Sequence, residues 1–274
     1  MFEQILASTV ILTTPILLAA MGGLVNRQSG IVNIGLEGKM LAGAFVAVVV
    51  SAATGSWLLA CLAAVLASAV IGWVFALAIT RAGANMIVAG LGLNVLLAGA
   101  IGFILSWHYG ISGTLRFPEV ALLPKLLPAA LSSVPVIGSA LAALDPVTVI
   151  AWASVAALPF LLAGTRFGLR LRATGNAPQV VRALGLNGAR IQEIATAIAG
   201  GFAGLAGAHL ALASIGLFNE GLSGGRGFIA LAAFYFGRDK PWPTAMVCLM
   251  FGFLDATQIR LQTNGLPPKL IGMI

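Results

Sequence analysis

The 274-residue sequence is 59% hydrophobic and only 8% charged, with a formal net charge of +7 and a mean hydropathy of +1.03. A soluble domain carries roughly a quarter charged residues, so this composition excludes a soluble globular protein and indicates a membrane protein. The positive charge does not indicate nucleic-acid binding, because the basic residues lie in short connections between apolar runs and not along one face.

Apolar runs that could form membrane-spanning helices recur along the whole chain. A helix needs about 20 mostly apolar residues to cross the hydrocarbon core. The predicted spans are, in chain order, Ile5–Val25, Met40–Ala53, Trp57–Ile79, Met86–Trp107, Pro146–Gly164, Ile191–Ile215, Phe228–Gly237 and Trp242–Thr257. The second and the seventh are too short alone. Each follows a Gly-rich segment with Asn and Glu, which could complete the crossing as a broken helix or a loop.

The longest connection on the outer side, residues 108–145, contains a second apolar patch at Val134–Leu144. This patch is too short to span, so we expect it to be re-entrant or to lie in the membrane interface. The pair Asp145-Pro146 ends the connection. Its residue types predict an N-cap followed by a first-turn proline, which together open the next helix.

The distribution of Lys and Arg predicts the orientation, because cytoplasmic connections are enriched in these residues. With the most basic connection, 165–190, in the cytoplasm, connections 26–39, 80–85 and 238–240 also lie inside and the N-terminus lies outside. These connections hold ten of the 15 basic residues, namely Arg27, Lys39, Arg81, Arg166, Arg170, Arg172, Arg182, Arg190, Arg238 and Lys240.

The 165–190 connection also has the signals of a short helix of its own. Asn176 is a good N-cap, Pro178 is tolerated in the first turn, and Gly185 or Gly188 can end the helix. About two turns are too few for a stable isolated helix in water, so something must hold it. It either rests on lipid headgroups through its arginines or seats in a partner protein. The residues predicted to couple to a partner are Asn176, Pro178, Arg182, Ala183 and Gly185. The fold class is thus all-α: one polytopic transmembrane bundle over residues 1–274, with broken or short helices and a cytoplasmic coupling helix.

Polar residues beside the two short spans are candidates for a solute pathway, since polar groups at membrane depth usually face a cavity. The segments are SGIVNIGLEG at 29–38 and LFNEGLSGGRG at 217–227, whose glycines favour broken helix. The pathway candidates are Asn33, Glu37, Asn94, Phe218, Asn219 and Glu220. Two structural alternatives stay open. Segment 29–38 could be an ordinary turn with Glu37 in solvent, and Glu220 could pair with Arg226 to hold its loop.

Other features indicate packing and not chemistry. Gly200, Ala203, Gly204 and Gly207 give small residues at helical spacing, which predicts a close helix-packing face. Cys61 and Cys248 lie in apolar runs and are interpreted as core residues, with neither a disulfide nor a metal site implied. The sequence contains no nucleophile–base pair, ligand cluster or P-loop motif. We therefore expect no catalytic residues and no cofactor.

Two long runs resemble the nucleoside and simple-sugar branch of bacterial ABC-importer permeases, which is similar to the branched-chain amino acid permeases. They are LAAMGGLVNRQSGIVNIGLEGKMLAGAF and GGRGFIALAAFYFGRDKPWPTAMVCLMFGFLDATQIRLQ. The loop RATGNAPQVVRALGLNGARI resembles the ATPase-docking segment of that family. The resemblance implies that residues 176–188 have the coupling role. Family members usually continue beyond the LPPxL segment into a final span, so we expect this chain to be short at its C-terminus.

The resemblance implies a multi-pass protein of the bacterial cytoplasmic membrane that performs no covalent chemistry. The implied partners are a second homologous permease, two cytoplasmic ATPase subunits, an extracytoplasmic solute-binding protein and membrane lipid, with no nucleic acid. A nucleoside is the first solute expected, and a simple sugar, a riboflavin-like ring or a branched-chain amino acid are alternatives. A different class, an ion-coupled secondary transporter, would have to use Glu37, Glu220 and Asp255 as its relay. A membrane-embedded enzyme lacks a catalytic constellation.

Cysteine accessibility in intact cells tests the predicted orientation. In a variant without the two native cysteines, a membrane-impermeant thiol reagent added outside should label Ser8→Cys and Thr114→Cys. Asn187→Cys should react only after the membrane is permeabilised, because connection 165–190 is predicted to be cytoplasmic. The reverse labelling pattern would overturn the whole topology.

Overall fold

A computed structural model describes residues 2–127, 138, 142–214 and 216–263. Within these residues the chain forms ten helices and one pair of three-residue strands. The elements are α1 Phe2–Gln28, α2 Leu36–Thr54, α3 Trp57–Thr80, α4 Met86–Tyr109, β1 Thr114–Arg116, α5 Pro146–Gly164, α6 Arg166–Asn176, α7 Pro178–Ala183, α8 Gly188–Leu212, β2 Leu217–Asn219, α9 Arg226–Phe236 and α10 Pro241–Thr263. The all-α class is confirmed.

Seven helices of the described residues are long and apolar enough to cross a membrane: α1, α2, α3, α4, α5, α8 and α10. The second predicted span begins at Leu36 and not at Met40, so α2 has 19 residues and is long enough. The seventh predicted span is the 11-residue α9, which is short as expected. Most of the apolar patch at Val134–Leu144 and the LPPxL segment at 266–270 lie outside the described residues.

The centre of the bundle is α8, which packs between α1, α2 and α3. A Cβ atom added at Gly200, Gly204 or Gly207 would meet the carbonyl oxygens of Ser68, Ala64 and Met40 respectively. At the same crossing, Gly43 of α2 faces Gly204, with 2.6 Å from a Cβ built at Gly43 to the Gly204 Cα. Only glycine permits backbones this close. The predicted packing face is confirmed, and it fixes α2, α3 and α8 to one another.

A buried hydrogen-bonded cluster joins α1, α5 and α8. Asp145 caps α5, as predicted, by accepting from the Thr148 N–H at 2.8 Å, and Pro146 follows in the first turn. The other carboxylate oxygen of Asp145 lies 3.1 Å from His209 Nε2 of α8. Thr148 Oγ1 also lies 3.1 Å from Thr14 Oγ1 of α1. All four side chains are buried, so each polar group depends on the others for its hydrogen bonds.

Lys39, which the sequence predicts in a cytoplasmic connection, lies inside α2 and is fully buried. Its Nζ donates to Asn33 Oδ1 at 2.7 Å and lies 4.3 Å from the centroid of the Phe75 ring. The placement in a connection is wrong because α2 begins three residues before Lys39. The number of basic residues in the predicted inside connections thus falls from ten to nine (10 − 1).

A side chain at the tightest crossing should destabilise the bundle. Gly204→Val should cost about 1–3 kcal/mol or more of stability, because overpacking a core costs that much even where side chains can adjust, whereas here backbone atoms obstruct the new group. The measurement is the thermal unfolding midpoint of the purified protein in detergent. The control is Ala156→Val on the exposed side of α5. Equal midpoints for the two variants would contradict the packing argument.

Candidate functional site

The entry of α2 is held by a side chain of α4. The amide of Asn94 accepts from the Gly38 N–H at 2.8 Å and donates to the Ile34 carbonyl at 3.0 Å. The N-cap position, Gly35, offers no side-chain hydrogen bond of its own. First-turn N–H groups of a helix lack partners within the helix. Asn94 supplies a partner from outside, and this allows α2 to begin before the apolar run that the sequence shows.

The entry of α9 is held in the same manner by a side chain of α2. Glu37 accepts from the Gly225 N–H at 2.8 Å through one carboxylate oxygen and from the Gly227 N–H at 2.6 Å through the other. Gly225 has φ +80°, a left-handed conformation that favours glycine. A carboxylate at a helix N-terminus also meets the positive end of the helix dipole. Glu37 is therefore the cap of α9, and it joins two helix N-termini.

Strands β1 and β2 pair antiparallel, with Leu115 opposite Phe218. Beyond the pair, Glu220 Oε1 accepts from the Gly113 N–H at 3.2 Å. Asn219 Nδ2 donates to Thr114 Oγ1 at 2.8 Å, and its Oδ1 accepts from the Gly221 N–H at 2.8 Å. These bonds hold the carboxylate of Glu220 beside α4, 3.6 Å from a Cβ built at Gly102.

These contacts begin and end on α4. Asn94 of α4 holds α2 at Gly38, and Glu37 of α2 holds α9 at Gly225. Glu220, which precedes α9, lies beside Gly102, about two turns from Asn94 on α4. We name Glu37, Asn94, Asn219 and Glu220 the polar ring. Glu220 is exposed and the other three are partly exposed.

The start of α9, which Glu37 of the polar ring caps, lies inside the bundle and not at its end. The end of α9 adjoins the end of α1, where Gln28 Nε2 donates to the Asp239 carbonyl at 3.2 Å. At 1.5 Å per residue, α9 is about 16 Å long and α1 is about 40 Å long. The first residue of α9 therefore lies about 16 Å from the end of α1, measured along α1. The start of α9, and Glu37 with it, is thus close to the middle of the bundle. Two helices that begin there fit the broken-helix arrangement of transporter binding sites.

Two of the predicted pathway residues lie behind the ring and not on it. Asn33 is fully buried against Lys39, and its Nδ2 has no hydrogen-bond partner. Phe218 is fully buried, with its ring edge-on to Phe45 at 5.4 Å between centroids. The two side chains lie in the core and are not accessible. A direct part for them in the solute path stays a prediction.

The predicted Glu220–Arg226 pair is wrong. Arg226 instead lies 3.8 Å from Asp255 of α10, while Glu220 faces α4 and the hairpin. The reason is that Arg226 is the first residue of α9 and extends towards α10, on the side of the helix away from Glu220.

The predicted cytoplasmic connection contains two helices and not one. The predicted N-cap role of Asn176 is wrong, because Asn176 is the last residue of α6. The break falls at Ala177, which has φ −143° and ψ +66°, since the residue before a proline is disfavoured in the helical region. The predicted end at Gly185 is confirmed. Gly185 has φ +71°, its N–H donates to the Arg182 carbonyl, and the Leu186 N–H donates to the Val181 carbonyl, which is a Schellman ending.

The predicted coupling residues are all exposed, namely Asn176, Pro178, Arg182, Ala183 and Gly185. We name them the docking surface, after their predicted role. Val181 is buried and anchors α7 to the bundle. Val180 and Leu184 are 54% and 70% exposed, so this short helix presents apolar side chains to the outside. Exposed apolar groups rimmed by polar residues mark interaction sites.

A backbone contact connects the docking surface to the ring. Gly175, next to Asn176, lies so close to residues 28–30 that a Cβ there would be 2.9 Å from the Gly30 nitrogen. Gln192 of α8 donates to the Ser29 carbonyl at 3.0 Å. Residues 29–35 then lead to Asn94 and Glu37. Helix α6 is thus in direct contact with the segment in front of α2.

Sequence reasoning missed three of these contacts: Gly175 with Gly30, Lys39 with Asn33, and Asp145 with His209. Two of them join segments that are distant in sequence. The third involves Lys39, which was expected in a connection and is buried. Gly30 at φ +90° and Gly175 beside Asn176 are glycines at segment ends, which was the available signal. The burial of Lys39 inside an apolar helix has no comparable signal in the sequence.

Comparison with known proteins agrees with this architecture. A family model described as the permease component of the branched-chain amino acid transport system matches residues 5–271. The chain belongs to this permease family. It is 34% identical over 263 residues to a guanosine ABC transporter permease protein, NupQ of Bacillus subtilis, covering 93% of this chain and 82% of the relative. No solved structure matches the chain.

Two further relatives differ in the solute that they are named for. The nucleoside ABC transporter permease protein NupC of Lactococcus lactis is 33% identical, covering 94% of this chain and 82% of the relative. The putative glucose ABC transporter permease protein TsgC13 of Haloferax volcanii is 32% identical, covering 96% and 79%. This permease is therefore a transport subunit of the ABC class and a multi-pass protein of the inner membrane. The seven helices of the described residues that are long and apolar enough to span match that location.

Graded replacement of Glu37 should separate its two hydrogen bonds. Glu37→Gln keeps one acceptor oxygen and Glu37→Ala keeps none, so stability should fall in that order. The complete loss should be about 1–3 kcal/mol, as for a charge-assisted cap. Thermal unfolding of the purified permease measures the series. Glu119→Ala, an exposed carboxylate outside the ring, is the control. An unchanged midpoint for Glu37→Ala would show that Glu37 does not hold α9.

Proposed function

We propose that this permease forms half of the membrane channel of an ABC importer that carries a nucleoside into the cell. The observation that carries this proposal is the polar ring, which offers amide and carboxylate groups close to the middle of the bundle. Such groups suit a neutral solute with many hydrogen-bonding atoms. Two relatives that cover most of the chain are named for guanosine and for nucleosides, which supports this solute class.

The proposed assembly contains a second homologous permease, two cytoplasmic ATPase subunits and an extracytoplasmic solute-binding protein. The exposed docking surface supports the contact with an ATPase subunit. Haloferax volcanii has two permeases named for glucose, TsgC13 and TsgB13, and this chain is 32% and 25% identical to them. Two homologous permeases named for one solute in one organism support pairing of homologous chains.

Transport is driven through the contact between Gly175 and Gly30. Closure of the ATPase subunits displaces α7, α6 follows as the adjoining helix, and Gly175 moves residues 29–35. Because Asn94 holds both Ile34 and Gly38, the displacement reaches α4 and, through Glu37, α9. The ring therefore has one arrangement for each state of the ATPases, and ATP binding shifts the population between them.

Glucose or another simple sugar is the second candidate solute, because a relative that is 32% identical, against 34% for the guanosine permease, is named for glucose. A riboflavin-like ring or a branched-chain amino acid stays an alternative of the same class. An ion-coupled mechanism has less support. Its three carboxylates are all engaged, Glu37 with α9, Glu220 with Gly113, and Asp255 with Arg226.

Uptake in cells that lack other nucleoside transporters tests the solute. Cells expressing the permease with its partner subunits should accumulate radiolabelled guanosine, and unlabelled nucleosides should compete where glucose does not. Uptake should stop when the ATPase subunit carries an inactivating Walker A substitution. Competition by glucose alone would replace the nucleoside with a sugar. Uptake that persists with the inactive ATPase but collapses with a protonophore would overturn the ABC mechanism.

A bulky group on the docking surface should uncouple the ATPase from transport. Gly185→Trp should abolish most solute uptake while the ATPase still hydrolyses ATP, because the indole obstructs the ATPase groove without entering the bundle. Gly83→Trp is the matched control. Both glycines have positive φ, +71° and +67°, and a Cβ at either meets nothing within 4 Å, so backbone strain is equal and only the position differs. Equal uptake by the two variants would contradict the coupling role.

A further inference from the structure

Two adjoining apolar cavities lie between α5 and α8. The larger, of about 420 Å³, is enclosed by Val65 of α3, Ile150 of α5 and side chains of α8. The smaller, of about 110 Å³, is enclosed by α1, Leu161 of α5 and α8. Ile198 and Phe202 of α8 line both. The cavities therefore form one cleft, which we name the α5–α8 cleft.

The cleft exists because α5 approaches α8 at one end. Asp145 and Thr148, where α5 begins, contact His209 of α8, and the Asp145 carboxylate lies 3.1 Å from His209 Nε2. In the part of the chain that the structure describes, the remainder of α5 packs chiefly against α1, α6 and α10. Ile150, in the wall of the cleft, is 48% exposed. The cleft is thus open to the surroundings of the bundle, which in a membrane are lipid.

The other end of the cleft is basic. Arg166 and Arg170 follow the end of α5 directly, and Arg190 lies in the first turn of α8. All three are exposed, and none takes part in an ion pair among the described residues. The sequence from 146 to 192 contains neither Asp nor Glu. An apolar cleft therefore ends at arginines that have no acidic partner nearby in sequence.

The length of the cleft matches one leaflet of a bilayer. Along α5, Leu161 lies about 7 Å from Arg166, and along α8, Leu205 at the far end of the cleft lies about 22 Å from Arg190. One leaflet with its headgroups is about 21 Å thick. The arginines thus lie at headgroup level when the cleft lies at acyl-chain level.

We propose that the α5–α8 cleft binds an anionic phospholipid of the cytoplasmic leaflet, with an acyl chain in the cleft and the phosphate at Arg166 and Arg190. Arginine forms strong, bidentate hydrogen bonds with phosphate oxygens. Basic pockets between membrane helices on the cytoplasmic side suit anionic headgroups for this reason. The site goes beyond the proposed function, since it requires no particular solute.

A helix of another protein accounts for less. It would cover Ile150, Ile198 and Phe202, but membrane helices usually carry Lys or Arg at their cytoplasmic ends. Such a helix would bring like charge to Arg166 and Arg190. A phospholipid supplies both an apolar chain and a negative headgroup at the required separation.

Native mass spectrometry of the purified transporter complex measures the site. The complex is titrated with phosphatidylglycerol or with phosphatidylcholine of the same acyl chains. Arg166→Gln with Arg190→Gln should weaken phosphatidylglycerol binding about 25-fold, because each basic residue near a membrane surface contributes about fivefold. Binding of phosphatidylcholine should change far less, since its headgroup has no net charge.

The matched control is Arg238→Gln with Lys240→Gln, which removes two exposed basic residues from another connection on the same predicted side. This variant should bind phosphatidylglycerol as the parent does. Equal weakening by the two double variants, or equal affinity of the parent for both lipids, would overturn the proposal. Solute and ATP are absent from the titration, so either result leaves the transport proposal unaffected.

Photo-crosslinking in cell membranes that contain the complete transporter identifies what occupies the cleft. Ala157→p-benzoylphenylalanine places the reactive group in the smaller cavity, at an exposed residue. Phe160→p-benzoylphenylalanine, at a residue of α5 that is 74% exposed, samples the surrounding lipid. Lipid adducts from position 157 should be enriched in phosphatidylglycerol relative to position 160, and Arg166→Gln with Arg190→Gln should remove the enrichment. A protein adduct from position 157, or the same lipid composition at both positions, would refute the site.

Discussion

The architecture depends on one constraint: a backbone hydrogen-bonding group inside a membrane needs a partner, since water is absent there. Helices α2 and α9 both begin close to the middle of the bundle, and the first turn of each has N–H groups without helical acceptors. Asn94 satisfies one start and Glu37 the other. The residues that hold these two helix starts inside the bundle are therefore also residues predicted to line the solute path.

The glycine-packed crossing of α8 with α2 and α3 gives the bundle a rigid part. Backbones in direct contact cannot slide without collision, so these three helices move together or not at all. Helix α4 and the pair α6 and α7 are attached to this crossing through fewer contacts. Segment 29–35 lies between them and touches both, through Gly30 and through Ile34 and Gly35. Its position and its glycines, Gly30 and Gly35, suit a hinge between α6 and the polar ring.

The sequence was sufficient for the features that arise from composition and local pattern. Long apolar runs gave the helices, Gly200 to Gly207 gave the packing face, and Asp145-Pro146 and Gly185 gave a start and an end. It failed where a distant residue decides the outcome. Helix α2 begins at Leu36 because Asn94, 58 positions further along (94 − 36), holds its entry. Asn176 is not the predicted N-cap, because Pro178 disfavours the helical conformation at Ala177 and places the break there. The predicted pair of Glu220 with Arg226 failed because the direction of α9 brings Arg226 to Asp255. No short sequence pattern encodes that direction.

Lys39 is a basic residue beside an apolar run whose position the sequence predicts wrongly. A lysine beside an apolar run normally marks the cytoplasmic side, yet here the side chain is fully buried, and its Nζ has an amide and an aromatic ring as its neighbours. The hydrogen bond to Asn33 Oδ1 offsets part of the cost of burying this polar group. The bond fixes Asn33 in the segment that leads into α2, and Ser68 of α3 donates to the Lys39 carbonyl at 3.0 Å. Lys39 thereby ties segment 29–35 to the crossing of α2, α3 and α8.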